Sequence, residues 1–322
     1  MHIIENIDDI KQPLTKAVLT IGNFDGVHIG HQALFHEVIE KADDIGGVSV
    51  AMTFDPHPLR ALQQNGHLPL ITLKEQKIEL IGNSGIDVLI VQPFSRQFAS
   101  ISARRFVEDL LIGRIGMRAM VVGRDYRFGA NREGDLPLLQ RYAEEMGFEV
   151  IVTDWIQSNR DDHERISSTR IRELVNAGEV GRARNLLGRH YQIRGSVVKG
   201  RDRGGRLLGF PTANIQLTDE LCPRMGVYAV TIQAGGQLYR GVANIGYSPT
   251  FDDHLFTVEV HIFDFSGDLY GEEVRVNFVE RIRDELRFSS IEALSREIRN
   301  DVRRAQDILS SYPDPVARND HG

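Results

Sequence analysis

The chain has 322 residues, 41% hydrophobic and 26% charged, an ordinary globular composition at a length that exceeds one usual core, so two domains are expected. A formal net charge of −7 argues against a broad nucleic-acid surface, which needs concentrated Lys and Arg, and the single cysteine, Cys222, excludes an internal disulfide and disfavours a cysteine zinc site. No apolar run approaches the roughly 20 residues that span a bilayer, and Met1 to Glu5 lacks the charged-then-apolar pattern of a signal segment, so no membrane partner and a cytoplasmic location are expected.

In chain order, the apolar run Ala17 to Ile21 reads as a buried strand, and Leu34, Val38, Ala42 and Ile45 follow at helical spacing. Between them lies Gly22-Asn23-Phe24-Asp25-Gly26-Val27-His28-Ile29-Gly30-His31, a strand-to-helix corner. The unpaired N–H groups and the positive dipole end of a helix hold phosphate at such corners, and glycines let backbone approach closely. His28 and His31, one turn apart, are placed to face the same anion. The corner resembles the HxGH-type motif of the nucleotidyltransferase superfamily, and that likeness implies paired histidines acting on the α-phosphate of ATP. Two solvated histidines at a helix start are the plainer alternative.

Further strands are expected at Val48 to Phe54, Val88 to Val91, Ala119 to Val122 and Val150 to Val152. Helices are expected from a capping box at Thr72 and Glu75, near Ser102 and near Asp135. The alternation predicts a doubly wound, Rossmann-like α/β domain whose ligands bind beyond the carboxyl ends of the strands. Three more segments fall there. Asp55-Pro56-His57-Pro58 is a proline-stiffened loop, and its bland reading is a strand terminator. In Gly123 to Gly129, Tyr126 and Phe128 offer rings for a flat heterocycle while Asp125 offers a hydrogen-bond acceptor. The helix start at Ser167, Ser168 and Thr169 carries Arg172 within about one turn, a pairing suited to phosphate, although hydroxyls there also serve as caps. Neither a P-loop nor a G-x-G-x-x-G turn after a strand is present.

From Tyr191 onward the pattern changes to period-two strands and tight turns. Phe256, Val258, Val260 and Ile262 form one face, Ala234-Gly235-Gly236-Gln237 reads as a hairpin, and a final helix is expected from a capping box at Ser289 and Glu292. Its apolar stripe is Ile291, Leu294, Ile298, Val302, Ala305 and Leu309. The expected organisation is an α/β domain over 1–185, an antiparallel β-barrel with a terminal helix over 186–312, and a tail at 313–322. In Leu208-Gly209-Phe210-Pro211-Thr212-Ala213-Asn214, the oxygens of Thr212 and Asn214 on a stiff turn suit Mg²⁺, and local backbone capping is the alternative. Glu259 lies on the non-core face of its strand.

Taken together these motifs resemble the prokaryotic bifunctional riboflavin kinase/FAD synthetase family over nearly the whole chain. The resemblance implies phosphorylation of riboflavin by ATP to FMN in the barrel and adenylylation of FMN to FAD in the α/β domain, with Mg²⁺. It implies catalytic roles for His28, His31 and Glu259, the last as general base. It further implies nucleotide or phosphate contacts at Gly22, Phe24, Asp25, Gly30, Asp125, Ser168, Thr169 and Arg172, substrate-loop roles for Asp55, His57, Gly209, Phe210 and Asn244, and metal ligation by Thr212 and Asn214. Two stretches depart from the family pattern: Tyr247-Ser248 stands where a basic residue commonly precedes Pro-Thr, and Gly200 to Arg206 is crowded with Arg. A nucleotidyltransferase for another acceptor, or a flavin-sensing regulator, would use the same pockets.

Overall fold

The computed structural model describes residues 1–62, 68–154, 165–199, 210–247 and 256–312, and the chain divides into two compact units, Met1–Arg170 and Ile171–Gly322. Gly209, Ser248, the Gly200 to Arg206 run and the tail at 313–322 lie outside the described residues.

The first unit runs β1 (His2–Ile4), β2 (Ala17–Ile21), α1 (Ile29–Ile45), β3 (Val48–Asp55), α2 (Pro58–Leu62), α3 (Lys74–Gly82), β4 (Val88–Pro93), α4 (Arg96–Ala99) and α5 (Ala103–Arg105). A π-helical run over Phe106–Ile115 follows, then β5 (Met117–Gly123), α6 (Leu136–Met146) and β6 (Glu149–Thr153). The strands form one parallel sheet in the order β1-β4-β3-β2-β5-β6. Both faces are covered, which is why its strands read as continuous apolar runs. Leu19, Val50, Met52, Ile90 and Met120 pack with Phe106, Leu111 and Leu139 on one side, and Val18, Ala51, Leu89 and Val121 pack with Phe35, Val38 and Ile81 on the other. After β2 the chain moves outward through β3 and β4 and then returns to β5 on the opposite side of β2. The topological switch point therefore lies between β2 and β5, where such sheets open a crevice.

Helix α7 (Ser168–Ala177) and helix α8 (Val180–Leu187) lead into the second unit. That unit contains β7 (Tyr191–Val198), β8 (Ala213–Gln216), β9 (Gly226–Ala234), β10 (Gln237–Tyr247), β11 (Phe256–Ile262), β12 (Glu273–Arg283) and α9 (Ile291–Ser310). The strands close into an antiparallel barrel in the order β10-β11-β8-β7-β12-β9. Tyr191, Ile193, Tyr228, Val230, Ile232, Val258, Val260, Val276 and Phe278 are buried along its strands. A second cluster, Val227, Ala229, Val242 and Val279 with Ala305 and Leu309, seats α9 against the barrel wall. The β9–β10 hairpin turns at Gly235 (φ 54°) and Gly236 (φ 78°), the left-handed pair a two-residue hairpin requires.

Several local expectations are corrected. Most of α7 and all of α8 belong to the second compact unit, where α8 packs on β12 and β7 and the Arg224 amide donates to the Val175 carbonyl at 3.2 Å. Thr72 does not cap α3: Leu73 is the N-cap residue, and the Thr72 hydroxyl accepts instead from the Gly26 amide at 3.0 Å. Helix α9 is capped by Ser290, which accepts from the Ala293 amide, one residue later than expected. Ile291 is 68% exposed and so falls off the buried stripe, being the first residue after that cap. The helix expected near Ser102 is α-helical only over α5 and continues with π winding, which brings Phe106, Val107, Leu111 and Ile115 into the core.

Candidate functional site

The corner after β2 is built by steric fit. Gly22 has no room for a side chain: a Cβ there would meet the Phe24 ring at 2.7 Å. Phe24 is buried in left-handed backbone (φ 46°) and packs edge-on against Phe35 at 4.9 Å and His31 at 5.2 Å. Gly30 keeps the helix start thin beneath His28, since a Cβ would lie 3.2 Å from that ring. The buried Asp25 carboxylate faces protein: it accepts from the amides of Ile71 (3.0 Å) and Thr72 (3.1 Å), which ties the corner to the start of α3.

His28 is the N-cap residue of α1, and its Nδ1 accepts from the His31 amide at 3.3 Å. An accepting Nδ1 leaves Nε2 as the donor of that ring. The His28 and His31 rings stack, with centroids 3.5 Å apart and planes 16° from parallel. The two imidazoles thus act as a single block at a helix N-terminus rather than as separate solvated side chains. Ser168 reaches the same corner, its hydroxyl donating to the Asp25 carbonyl at 2.8 Å. Thr169 follows in α7, and Arg172 of the same helix falls in the second compact unit.

On the other flank of the switch point, the Asp125 carboxylate pairs with Arg165 at 2.9 Å and Arg124 pairs with Asp154. Tyr126 and Phe128 stack 18° from parallel with centroids 5.6 Å apart, and burial pushes the Tyr126 phenol far above its ordinary pKa. Phe128 also begins an aromatic chain through Phe106, Phe98, Phe94 and Phe54. Its members come from β3, the residue after β4, α4, the π-helical run and the loop after β5, which only the fold brings together. Asp55 is half-exposed with Lys74 Nζ at 4.0 Å, while His57 is buried and accepts from the Leu59 amide at the start of α2.

In the barrel, strand register does what sequence distance hides. Asn214 of β8 pairs with Glu259 of β11, which pairs in turn with Asn244 of β10. Paired residues on neighbouring strands emerge on one face with Cβ atoms about 4.5–5.5 Å apart. A carboxylate is therefore flanked by two amides, on the face opposite the buried Val258 and Val260. Burial pushes the Glu259 carboxyl above its ordinary pKa. His261, two residues on and so on that same face, had no signal of its own. Its Nδ1 donates to the Pro211 carbonyl at 2.9 Å, and its ring meets Phe210 edge-on at 5.4 Å, fixing the turn that carries Thr212.

Comparison with known proteins gives the same division. Residues 10–170 match the FAD synthetase family and residues 187–309 match the riboflavin kinase family. A bifunctional riboflavin kinase/FMN adenylyltransferase of Haemophilus influenzae is 37% identical over 97% of this chain and 100% of its own length. The chain belongs to the bifunctional riboflavin kinase/FMN adenylyltransferase family. The Escherichia coli member is 38% identical over 96% of this chain and 98% of its own. A solved structure from Streptococcus pneumoniae superposes with a TM-score of 0.84 at 36% identity, covering 93% of this chain and 96% of that one. That protein is described as a macrolide-efflux protein; in this family member, among the described residues, no helix is long and apolar enough to cross a membrane.

Proposed function

We propose that the β2–α1 corner is where AMP is transferred from ATP to FMN, and that the Asn214–Glu259–Asn244 row is where riboflavin is phosphorylated. The chain carries both enzymatic domains of flavin cofactor synthesis, riboflavin to FMN and FMN to FAD. The observation that carries the site assignment is the stacked His28–His31 block at a helix N-terminus beside the switch point of a parallel sheet.

In adenylyl transfer, an oxygen of the FMN phosphate bonds to the α-phosphorus of ATP as the bond to pyrophosphate breaks. Negative charge grows on the α-phosphate oxygens, and the His28 and His31 rings with the α1 amides stabilise it. Ser168 and Asp25 are positioning residues: they hold the corner's backbone through the bonds to the Asp25 carbonyl, Ile71 and Thr72. Tyr126 and Phe128 offer a stacking face for the isoalloxazine or adenine ring, with Asp125 and Thr169 as polar contacts to ATP.

In the kinase, Glu259 takes the proton of the ribityl 5′-hydroxyl as its oxygen bonds to the γ-phosphorus and ADP leaves. Thr212 and Asn214 present uncharged oxygens beside it, a hard donor set that fits Mg²⁺. Among the described residues no cluster of three His, Cys, Asp or Glu side chains stands ready for a metal, so the ion would share its shell with water and nucleotide phosphates. When bound, Mg²⁺ offsets phosphate charge; Asn244 and Phe210 orient the flavin substrate, and Asp55 and His57 shape the acceptor loop of the other site. Use of ATP at both sites supports a cytoplasmic location. The working boundary between the activities falls in α7 and α8.

Incubating the full chain with riboflavin, ATP and Mg²⁺ and separating the flavins is expected to show FMN, then FAD. A protein that forms neither would overturn this reading.

A further inference from the structure

Lys77 is 7% exposed, on the first turn of α3, and has no role in the chemistry above. Among the described residues its Nζ forms no ion pair, and its hydrogen-bond partner is the Thr53 hydroxyl at 3.4 Å. Thr53 is itself buried at the carboxyl end of β3 and donates to the Asn23 carbonyl at 3.1 Å. Lys77, Thr53 and Asn23 thus form a line from α3 through the sheet to the back of the corner. Neighbouring bonds hold the start of α3 in place, since Thr72 and Ile71 are tied to Asp25 and Gly26.

A buried ammonium with one long hydroxyl contact is costly, because burial disfavours its charged form, and a well-packed apolar side chain of similar volume is often neutral or stabilising. The negative charges of Asp25 and Asp55 act on it from the corner and from the end of β3, and burial outweighs them, pushing its pKa down. A cation kept at that cost beyond the carboxyl end of a central strand lies where open sheets take their ligands.

We propose that Lys77 is a positioning residue for adenylyl transfer, its ammonium standing behind the Asn23 backbone as the positive charge that draws a substrate phosphoryl group onto the corner. This rests on the corner being the adenylyl-transfer site. The phosphoryl group belongs either to the ATP triphosphate or to the FMN phosphomonoester, and the test separates the two.

The test is Lys77→Met in the full chain, with FAD formation measured against ATP at saturating FMN and against FMN at saturating ATP. Riboflavin phosphorylation by the same preparation is the internal control. Expected are a rise of about tenfold or more in KM for one of the two substrates, a kcat within about threefold of the parent, unchanged kinase activity and a melting temperature that does not fall. A rise for ATP assigns the triphosphate, and a rise for FMN assigns the phosphomonoester. Two unchanged KM values overturn the proposal. So does a lower melting temperature with loss of kcat at constant KM, which would make Lys77 a counter-charge for Asp25. Thr53→Val is the second variant: it removes the seat of Nζ without removing the charge, and it must raise the same KM. Failure of the parent protein to make FAD from FMN would refute the site's function rather than the role of Lys77.

Discussion

Glu259 holds its proton more tightly than a carboxyl in water, because burial on the flank of β11 penalises the charge. A general base works only when ionised, so the sign follows directly. As pH falls through the raised pKa, the carboxylate is protonated and riboflavin phosphorylation is lost at a pH above the usual carboxylate range. The acid limb of kcat/KM for FMN formation is expected there, and Glu259→Gln should reduce that activity by about 10²-fold or more with the limb removed from what remains. FAD formation from supplied FMN should keep its own acid limb in Glu259→Gln; a shared change would contradict the assignment. His28 and His31 were legible as a pair one turn apart at a helix start, whereas spacing marked Glu259 only as a non-core strand position and its role rested on the family resemblance. Gly22, Gly30 and Asp25 were legible as positions but not as causes. Their partners are the Phe24 and His28 rings and the amides of Ile71 and Thr72, and nothing local in the motif announces a bond to a residue 46 positions away.

Helix α9 is held to the barrel by apolar packing and by the Arg283 guanidinium, which pairs with the buried Asp301 and stands 3.8 Å from Glu297 Oε1. The Arg283 Nε donates to both Asp301 oxygens at 2.9 and 3.1 Å, and Nη2 donates to Oδ2 at 2.7 Å, with the Asp301 side chain only 4% exposed. Removing Arg283 leaves the Asp301 charge buried, and removing Asp301 leaves the guanidinium with Glu297, whose Oε1 lies 3.8 Å from Nε, as the nearer remaining carboxylate. Asp301→Ala is therefore expected to destabilise the barrel unit by about 3 kcal/mol, the lower end for a broken buried pair, whereas Arg283→Met with Asp301→Leu should recover most of that loss. Calorimetry of the barrel transition in the three proteins decides; equal losses in the single and double variants would show that the pair contributes beyond its own charges. Element boundaries followed the same division between local and distant causes. The strands at Val48, Val88, Ala119 and Val150 and the Gly235-Gly236 hairpin were readable from period and turn chemistry. Strand β1 was not, because three residues carry no period, and their pairing with Val88 to Ile90 decides them. Thr72 carried a capping signature and went to the corner instead, where the Gly26 amide offered it a buried bond.

At the scale of the molecule, each unit has its own core and its own candidate site: a parallel sheet with a phosphate corner, and a closed barrel with a carboxylate row. The two reactions share an intermediate, FMN, and the proposed sites share no side chain, which permits a complementation test. His28→Asn keeps a side-chain oxygen able to cap α1 while removing the imidazole, so it separates loss of chemistry from loss of the helix start. That variant is expected to convert riboflavin to FMN and stop there, with FAD formation down by about 10²-fold or more. Glu259→Gln is expected to make FAD from supplied FMN and to leave riboflavin untouched. Mixed in equal amounts with ATP and Mg²⁺, the two variants should carry riboflavin to FAD, because FMN released by one protein is substrate for the other. If FMN accumulated in the mixture while Glu259→Gln alone still consumed supplied FMN, some further product of the first variant would have to be blocking the second site. If neither variant kept its remaining activity, the separation of the two chemistries between the two units would be wrong.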